Sequence, residues 1–229
     1  MKSPATMFSV ASGSPAASRK KLLHLCDYYR NLMSVRYPAE QKAETREKIL
    51  STAARSFREH GSEMNGIGQV MKELGLTKGG FYRHFESKGD LYAAAVARAF
   101  EEQGKRLVAV ADAAPKGAEL RAVIEHYLSA KHLRAPGTGC PLAALAAEIA
   151  RQPLEVRKRI HQSMLAYRDR MLPYIPGATV EEKRGRSFIL FSGMAGALVA
   201  ARAIAEPQTR KRALAAARSF YVKTFAAAR

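Results

Sequence analysis

From Ala39 onward, apolar residues recur at intervals of three and four, and the breaks between these periodic stretches fall at glycine and proline. That spacing lines up side chains on one face of an α-helix, whereas a half-buried strand needs strict alternation, and no alternating run of useful length occurs. The chain is therefore expected to be all-α. Ile49, Ala53 and Phe57 repeat every four residues, with Leu50 and Ala54 widening the stripe, and Gly61 supplies a left-handed stop after His60. A second, short helix is expected over about Ile67–Leu74, ending at Gly75, and a third over Lys78–Phe85 after the tight connection Gly75-Leu76-Thr77. Thr77 can cap that third helix, and Ser87-Lys88-Gly89-Asp90 has the form of a capping box opening a fourth, to about Ala111. Pro115, Pro136, Pro141, Pro153, Pro173, Pro176 and Pro207 punctuate the remainder, which closes with two long helices, about Val180–Ala205 and Gln208–Ala227. About nine core helices result, with no internal repeat.

Charge narrows the range of partners. The 229 residues carry 38 Lys+Arg against 20 Asp+Glu, a formal net charge of +18, which favours a polyanion: nucleic acid first, an anionic membrane surface behind it. With 47% hydrophobic and 25% charged residues, most of the chain should fold. The longest apolar stretch, Ser187–Ala201, is bracketed by Arg186 and Arg202 and falls short of the roughly 20 residues of a bilayer crossing, so it reads as a buried helix. The opening MKSPATMFSVASGSPAASRKK lacks the unbroken apolar core of a secretory signal, and a cytoplasmic protein with no membrane partner is expected. Cys26 and Cys140 lie too far apart in sequence, and too alone, to suggest a disulfide framework or a thiolate zinc site; no cofactor or metal is expected. His24, His60, His84, His126, His132 and His161 are scattered, with no zinc-protease motif, phosphate loop or nucleophile elbow, which argues against an enzyme.

Two short helices joined by a glycine-containing turn form a helix-turn-helix, whose second helix enters the DNA major groove while the first crosses the backbone. An ordinary helical corner has the same outline, so the side chains must decide. Phe81 and Phe85, four apart, can anchor the second helix, leaving Lys78, Gly79, Tyr82 and Arg83 to face outward. Glycine costs about 1 kcal/mol per helix-interior site relative to alanine, and close approach to a phosphate backbone accounts for Gly79 and Gly80 better than packing does. The run from Thr45 to Leu91 resembles the DNA-binding domain of the TetR family of transcriptional regulators. The resemblance rests on the apolar positions of the first helix, Gly61, Gly75-Leu76-Thr77-Lys78-Gly79, Phe81-Tyr82-x-His84-Phe85 and Ser87-Lys88-x-Asp90-Leu91. It implies that Thr77, Lys78, Tyr82, His84 and Lys88 contact phosphates or position the helix, while Gly79, Gly80 and Arg83 lie against base edges, Arg83 being the candidate for a guanine. One departure stands out. Where the family has two hydroxyl residues opening its second helix, this chain has Asn65-Gly66, so Asn65 would cap and a phosphate contact would be missing.

The domain layout implied is an N-terminal extension over 1–38, partly disordered and with a possible extra helix, a helix-turn-helix domain over 39–90, and a larger helical effector-binding and dimerisation domain over 91–229. Beyond the reading head the resemblance lies in helix layout and in Gly139-Cys140-Pro141-Leu142-Ala143-Ala144-Leu145, a run found in one branch of the family. A homodimer would place two reading heads about 34–36 Å apart on a pseudo-palindromic operator in double-stranded DNA. By resemblance, the last two helices of each subunit form a four-helix bundle through Phe188, Gly193, Ala197, Leu198, Ala201, Leu214, Ala217, Phe220 and Tyr221; the alternative, that these residues fill the subunit's own core, stays open. The middle helices would enclose an unknown small-molecule effector, with Tyr127, Met164, Tyr167, Phe191 and Met194 as candidate lining; the alternative, that these bulky residues are plain core, stays open. Cys140 precedes Pro141 at a helix start, where the dipole and free amides can lower a thiol's pKa, so a thiol sensor and a plain neighbour of the cap are both open. The function expected is a repressor released by a small molecule or thiol modification; a non-specific architectural DNA-binding protein is the alternative. Residues 39–88 hold nine Lys+Arg and seven Asp+Glu, against 23 and 12 in 89–229, so most of the positive charge lies outside the reading head and reads as a solvated surface attracting DNA at long range.

Overall fold

In the computed structural model of the chain, residues 39–63 and 66–226 are described. The extension 1–38, with its expected extra helix and Cys26, lies outside them, as does Asn65. The described residues form nine α-helices and three short 3₁₀ segments, with no strand: α1 Ala39–His60, α2 Ile67–Glu73, α3 Lys88–Asp112, α4 Glu119–Tyr127, α5 Ala130–Arg134, α6 Pro141–Ala150, α7 Leu154–Met171, α8 Val180–Ala203 and α9 Pro207–Phe225. From Glu44 onward, the described residues cluster as one compact unit.

The periodic stripe of α1 is buried as its spacing requires, through Ile49, Ala53, Ala54 and Phe57, and the helix stops at Gly61, whose φ of 76° lies in the left-handed region. Gly75 plays the same part after α2, with φ 67°. The segment expected as a third helix over Lys78–Phe85 is a 3₁₀ helix over Lys78–Arg83, with Gly80 N donating to Thr77 O at 3.0 Å and His84 N to Phe81 O at 2.9 Å. Two glycines in six residues leave too little intrinsic helix preference to complete α-type bonding, and short 3₁₀ runs suit such connectors. Ser87 opens α3 by accepting from Asp90 N at 3.0 Å; the Asp90 carboxylate reaches back past it, to Glu86 N at 3.2 Å.

Helix α3 is the spine of the larger part and packs along α7. Gly104 permits the close approach, since a Cβ there would lie 3.3 Å from Arg170 Cδ and 3.5 Å from the Tyr167 ring. The helix carrying Leu120 to Leu128 ends earlier than its punctuation suggests: Ser129 accepts from His132 N at 3.1 Å and starts a separate short helix, α5. Helices α8 and α9 pack on each other, with Gly193 facing the Tyr221 hydroxyl.

Candidate nucleic-acid interface

The reading segment is plugged into the protein by its phenyl rings. Phe81 and Phe85 are buried and stacked at 5.6 Å, and the Arg46 guanidinium of α1 lies 4.8 Å over Phe85. Thr77 caps the segment, its Oγ1 accepting from Gly80 N at 3.2 Å. With that anchorage, Thr77, Lys78, Gly79, Tyr82, Arg83 and Lys88 are exposed, while Gly80 and His84 are half-buried. Tyr82 is 68% exposed although its ring meets Phe81 edge-on at 5.1 Å. Nothing lies within 4 Å of where a Cβ on Gly79 would stand, so no packing inside the protein calls for a glycine there. The expectation that Asn65 caps α2 is corrected: Gly66 takes the N-cap position, with extended backbone and no side chain to accept from the first-turn amides.

Behind the reading head lies an aromatic core. Tyr127, Tyr167, Phe191, Met194 and Cys140 are all buried, with Phe191 6.3 Å from Tyr127 and 5.4 Å from Tyr167 between ring centres. Burial holds both phenols well above their ordinary pKa. The hydroxyls of Tyr167 and Ser187 have no hydrogen-bond partner, and that of Tyr127 has only the weakly bonding Cys140 thiol beside it. Met164, expected with this group, instead lines a groove of about 370 Å³ on the α6–α7 side with Ile149, Leu154 and His161. The expected lowering of the Cys140 pKa is reversed. Amides of Leu142 and Ala143 do act downward on the thiol, but burial pushes it up and prevails.

Sequence reasoning missed the polar lattice around this core. His132 is buried, and burial pushes its pKa down to about 4, so the ring is neutral. Its Nε2 accepts from Cys140 N at 2.9 Å; the proton therefore sits on Nδ1 and is donated to Tyr127 O at 2.6 Å. Arg202 donates to His132 O at 3.0 Å and to Leu133 O at 3.2 Å, and the buried Arg58 of α1 donates to Gly139 O at 3.3 Å and to Glu102 at 3.2 Å. The usable signal was Gly139, where a Cβ would stand 2.5 Å from His132 Nε2.

A family model described as "Bacterial regulatory proteins, tetR family" matches residues 49–95, and one described as "Tetracyclin repressor-like, C-terminal domain" matches 117–217, together more than half of the chain. The chain belongs to the tetR family. Among curated proteins, this tetR-family chain is 37% identical over 54 residues to the HTH-type transcriptional regulator AcrR of Shigella flexneri, covering 24% of this chain and 25% of that protein. It is 30% identical over 122 residues to the HTH-type transcriptional regulator LmrA of Bacillus subtilis strain 168, covering 52% and 65%. The chain thus spans a quarter of the first relative and just under two thirds of the second. Its fold matches the crystal structure of a TetR-family transcriptional regulator from Cytophaga hutchinsonii with a TM-score of 0.66, at 19% identity over 84% of this chain and all of that one.

Of the residues expected at a tetR-family subunit interface, Leu198, Ala201 and Leu214 are buried in this chain's own core, which corrects that expectation: they lie on the inner face of α8 and α9. Gly193, Ala197, Ala217 and Tyr221 are half-buried and pack within the chain. Phe188 and Phe220 are exposed, and α8 also exposes Ile189, Ser192, Gly196, Val199 and Ala200, of which sequence reasoning did not single out Ile189, Ser192 and Val199 for a partner. Among the described residues no helix is long and apolar enough to cross a membrane, and no cluster of three metal-binding side chains occurs.

Proposed function

We propose that this chain is a homodimeric, sequence-specific DNA-binding transcriptional regulator of the cytoplasm, a repressor released from a pseudo-palindromic operator by a small molecule. The observation that carries the reading is the plugged 3₁₀ segment: with Phe81 and Phe85 buried, the cations of Lys78 and Arg83 and the Tyr82 phenol stand in solvent beside an unobstructed Gly79. Thr77, Tyr82, Lys78 and Lys88 then serve phosphates, and Arg83 a base edge, in the division of labour that separates positioning from specificity. His84, half-buried, holds the segment rather than reaching out.

The effector reading draws on the aromatic core. Buried hydroxyls that lack partners cost about 1–3 kcal/mol each, so a molecule supplying a hydrogen-bond acceptor to Tyr167, beside the weakly bonded Tyr127, would recover part of that loss. With the Cys140 pKa raised, reversible binding is favoured over thiol modification as the release signal.

Competition binding tests the DNA claim. A duplex recovered by footprinting upstream of the chain's own coding region should outcompete random DNA of equal length by at least about a thousandfold at fixed salt, the lower range for specific over non-specific complexes. Equal competition by the two would replace the reading with a non-specific architectural role.

A further inference from the structure

One of the links between the aromatic core and helix α1 runs through a single peptide bond. On its amide side, Cys140 N donates to His132 Nε2 at 2.9 Å, and on its carbonyl side, Gly139 O accepts from Arg58 Nη1 at 3.3 Å. Behind His132 stands the core: Nδ1 donates to Tyr127 O at 2.6 Å, and the imidazole lies edge-on to the Tyr127 ring at 4.8 Å. Behind Arg58 stands α1: Nε donates to Ala54 O at 2.8 Å within the helix, and Nη2 reaches Glu102 of α3 at 3.2 Å. All four side chains, Tyr127, His132, Cys140 and Arg58, are buried. The close approach is built in, because only glycine at 139 leaves room for the imidazole.

A peptide bond is planar and stiff, with a rotation barrier of about 18–20 kcal/mol. Its N–H and C=O therefore cannot turn independently, and a tilt that follows His132 draws the carbonyl away from Arg58. His132 has no slack to absorb a movement of Tyr127, since both its nitrogens are committed. A contiguous chain of two-ended contacts of this kind is one physical route by which energetic coupling between sites is carried.

We propose that the Gly139–Cys140 peptide is the relay through which the Tyr127 core and helix α1 of the reading head sense each other, with His132 and Arg58 as its positioning residues. The proposal rests on the effector reading above and names how that site is regulated. An effector that moves the Tyr127 ring shifts His132, tilts the peptide and loosens the last turns of α1. Linkage makes the effect reciprocal, so operator binding must be felt at His132 without any effector present.

That reciprocity gives the test. In the full-length protein labelled with ¹⁵N, the ring nitrogens of His132 and the amide of Cys140 are followed by NMR as the footprinted duplex is added. Both signals should move on saturation in the wild type and stay fixed in Arg58→Met, which leaves Glu102 its second partner, Arg98, at 3.0 Å. Arg58→Met and His132→Phe should each weaken operator binding about tenfold, as expected where a hydrogen bond to a charged or fully committed group is lost. The double variant should be no weaker than the worse single, because both cut the same link. Stationary wild-type signals at saturation, signals that still move in Arg58→Met, or losses that multiply would each overturn the relay. If a variant does not fold, the wild-type titration still decides. Should the wild type discriminate no duplex at all, the proposed function fails on its own account. The relay then stands or falls on the free protein, where Arg58→Met must shift His132 Nε2 and an unchanged signal ends the idea.

Discussion

Cys140 and His132 show how far a residue's chain neighbours determine its chemistry. For Cys140, sequence supplies the helix start and hence the amides that favour a thiolate, and those amides do act; what it does not supply is the depth of burial, which outweighs them. For His132, nothing in the pattern Lys131-His132-Leu133 marks a histidine locked between a carbonyl and an amide, because both partners come from other turns of the chain. The consequence can be measured through stability. The ring's pKa is depressed from an ordinary value near 6.5 to about 4 in the folded state, so between those values the unfolded chain binds the proton and the folded one does not. The stabilisation is therefore complete above pH 6.5 and is lost as pH falls toward 4, by about 3 kcal/mol over that window. Urea unfolding of the wild type and of His132→Asn at pH 7 and pH 4 should differ in their pH-induced loss by roughly that amount, with His126, also depressed by burial, adding a smaller change of the same sign to both. An identical loss in the two proteins would mean that the folded state does not hold the ring neutral.

Local signals were the most legible at the scale of elements. The caps at Thr77 and Ser87, the stops at Gly61 and Gly75 and the proline at the head of α6 depend on a few adjacent residues, and each sits where the sequence puts it. The division between α4 and α5 was hidden because the chain turns at Leu128-Ser129 without glycine or proline; only the Ser129 cap marks it. The hydrogen-bond type of the reading segment was hidden too, since its 3₁₀ form follows from a balance between two glycines and two anchored rings rather than from spacing. The outward set survives that change, and with it a contrast between two exposed cations, Arg83 of the segment and Lys88 at the head of α3. Arg83→Ala should relax base preference at one operator position at a cost of about 1–3 kcal/mol, whereas Lys88→Ala should weaken every sequence alike and lower the salt dependence by about one counterion. Binding measured on a set of single-base operator variants at two salt concentrations separates the two; a uniform loss for Arg83→Ala would remove its base-reading role.

For the whole molecule, the decisive ambiguity lay in α8, whose stretch from Ser187 to Ala201 holds no charged residue. Such a stretch is buried all round in the native assembly, and periodicity cannot say which face is covered by the same chain and which by another. The structure divides the faces: Ser187, Leu190, Phe191, Met194, Leu198 and Ala201 point into the core, while Phe188, Ile189, Ser192, Gly196, Val199 and Ala200 form a stripe in solvent, with Phe220 of α9 also exposed. Contiguous exposed apolar side chains interleaved with glycine and alanine suit a second copy of the same surface, packed helix against helix about a two-fold axis. Two substitutions about three turns apart on α8 should then behave oppositely. Phe188→Glu, at a side chain 71% exposed, should leave helicity and melting nearly unchanged while sedimentation drops from twice the chain mass to 25.1 kDa. Operator affinity should fall with it, since a lone reading head keeps only half of the base contacts. Leu198→Glu, at a fully buried position, should instead unfold the subunit by placing an unpaired carboxylate in the core. A Phe188→Glu protein that sediments as the wild type does would put the partner on another face and leave the stripe on α8 unexplained.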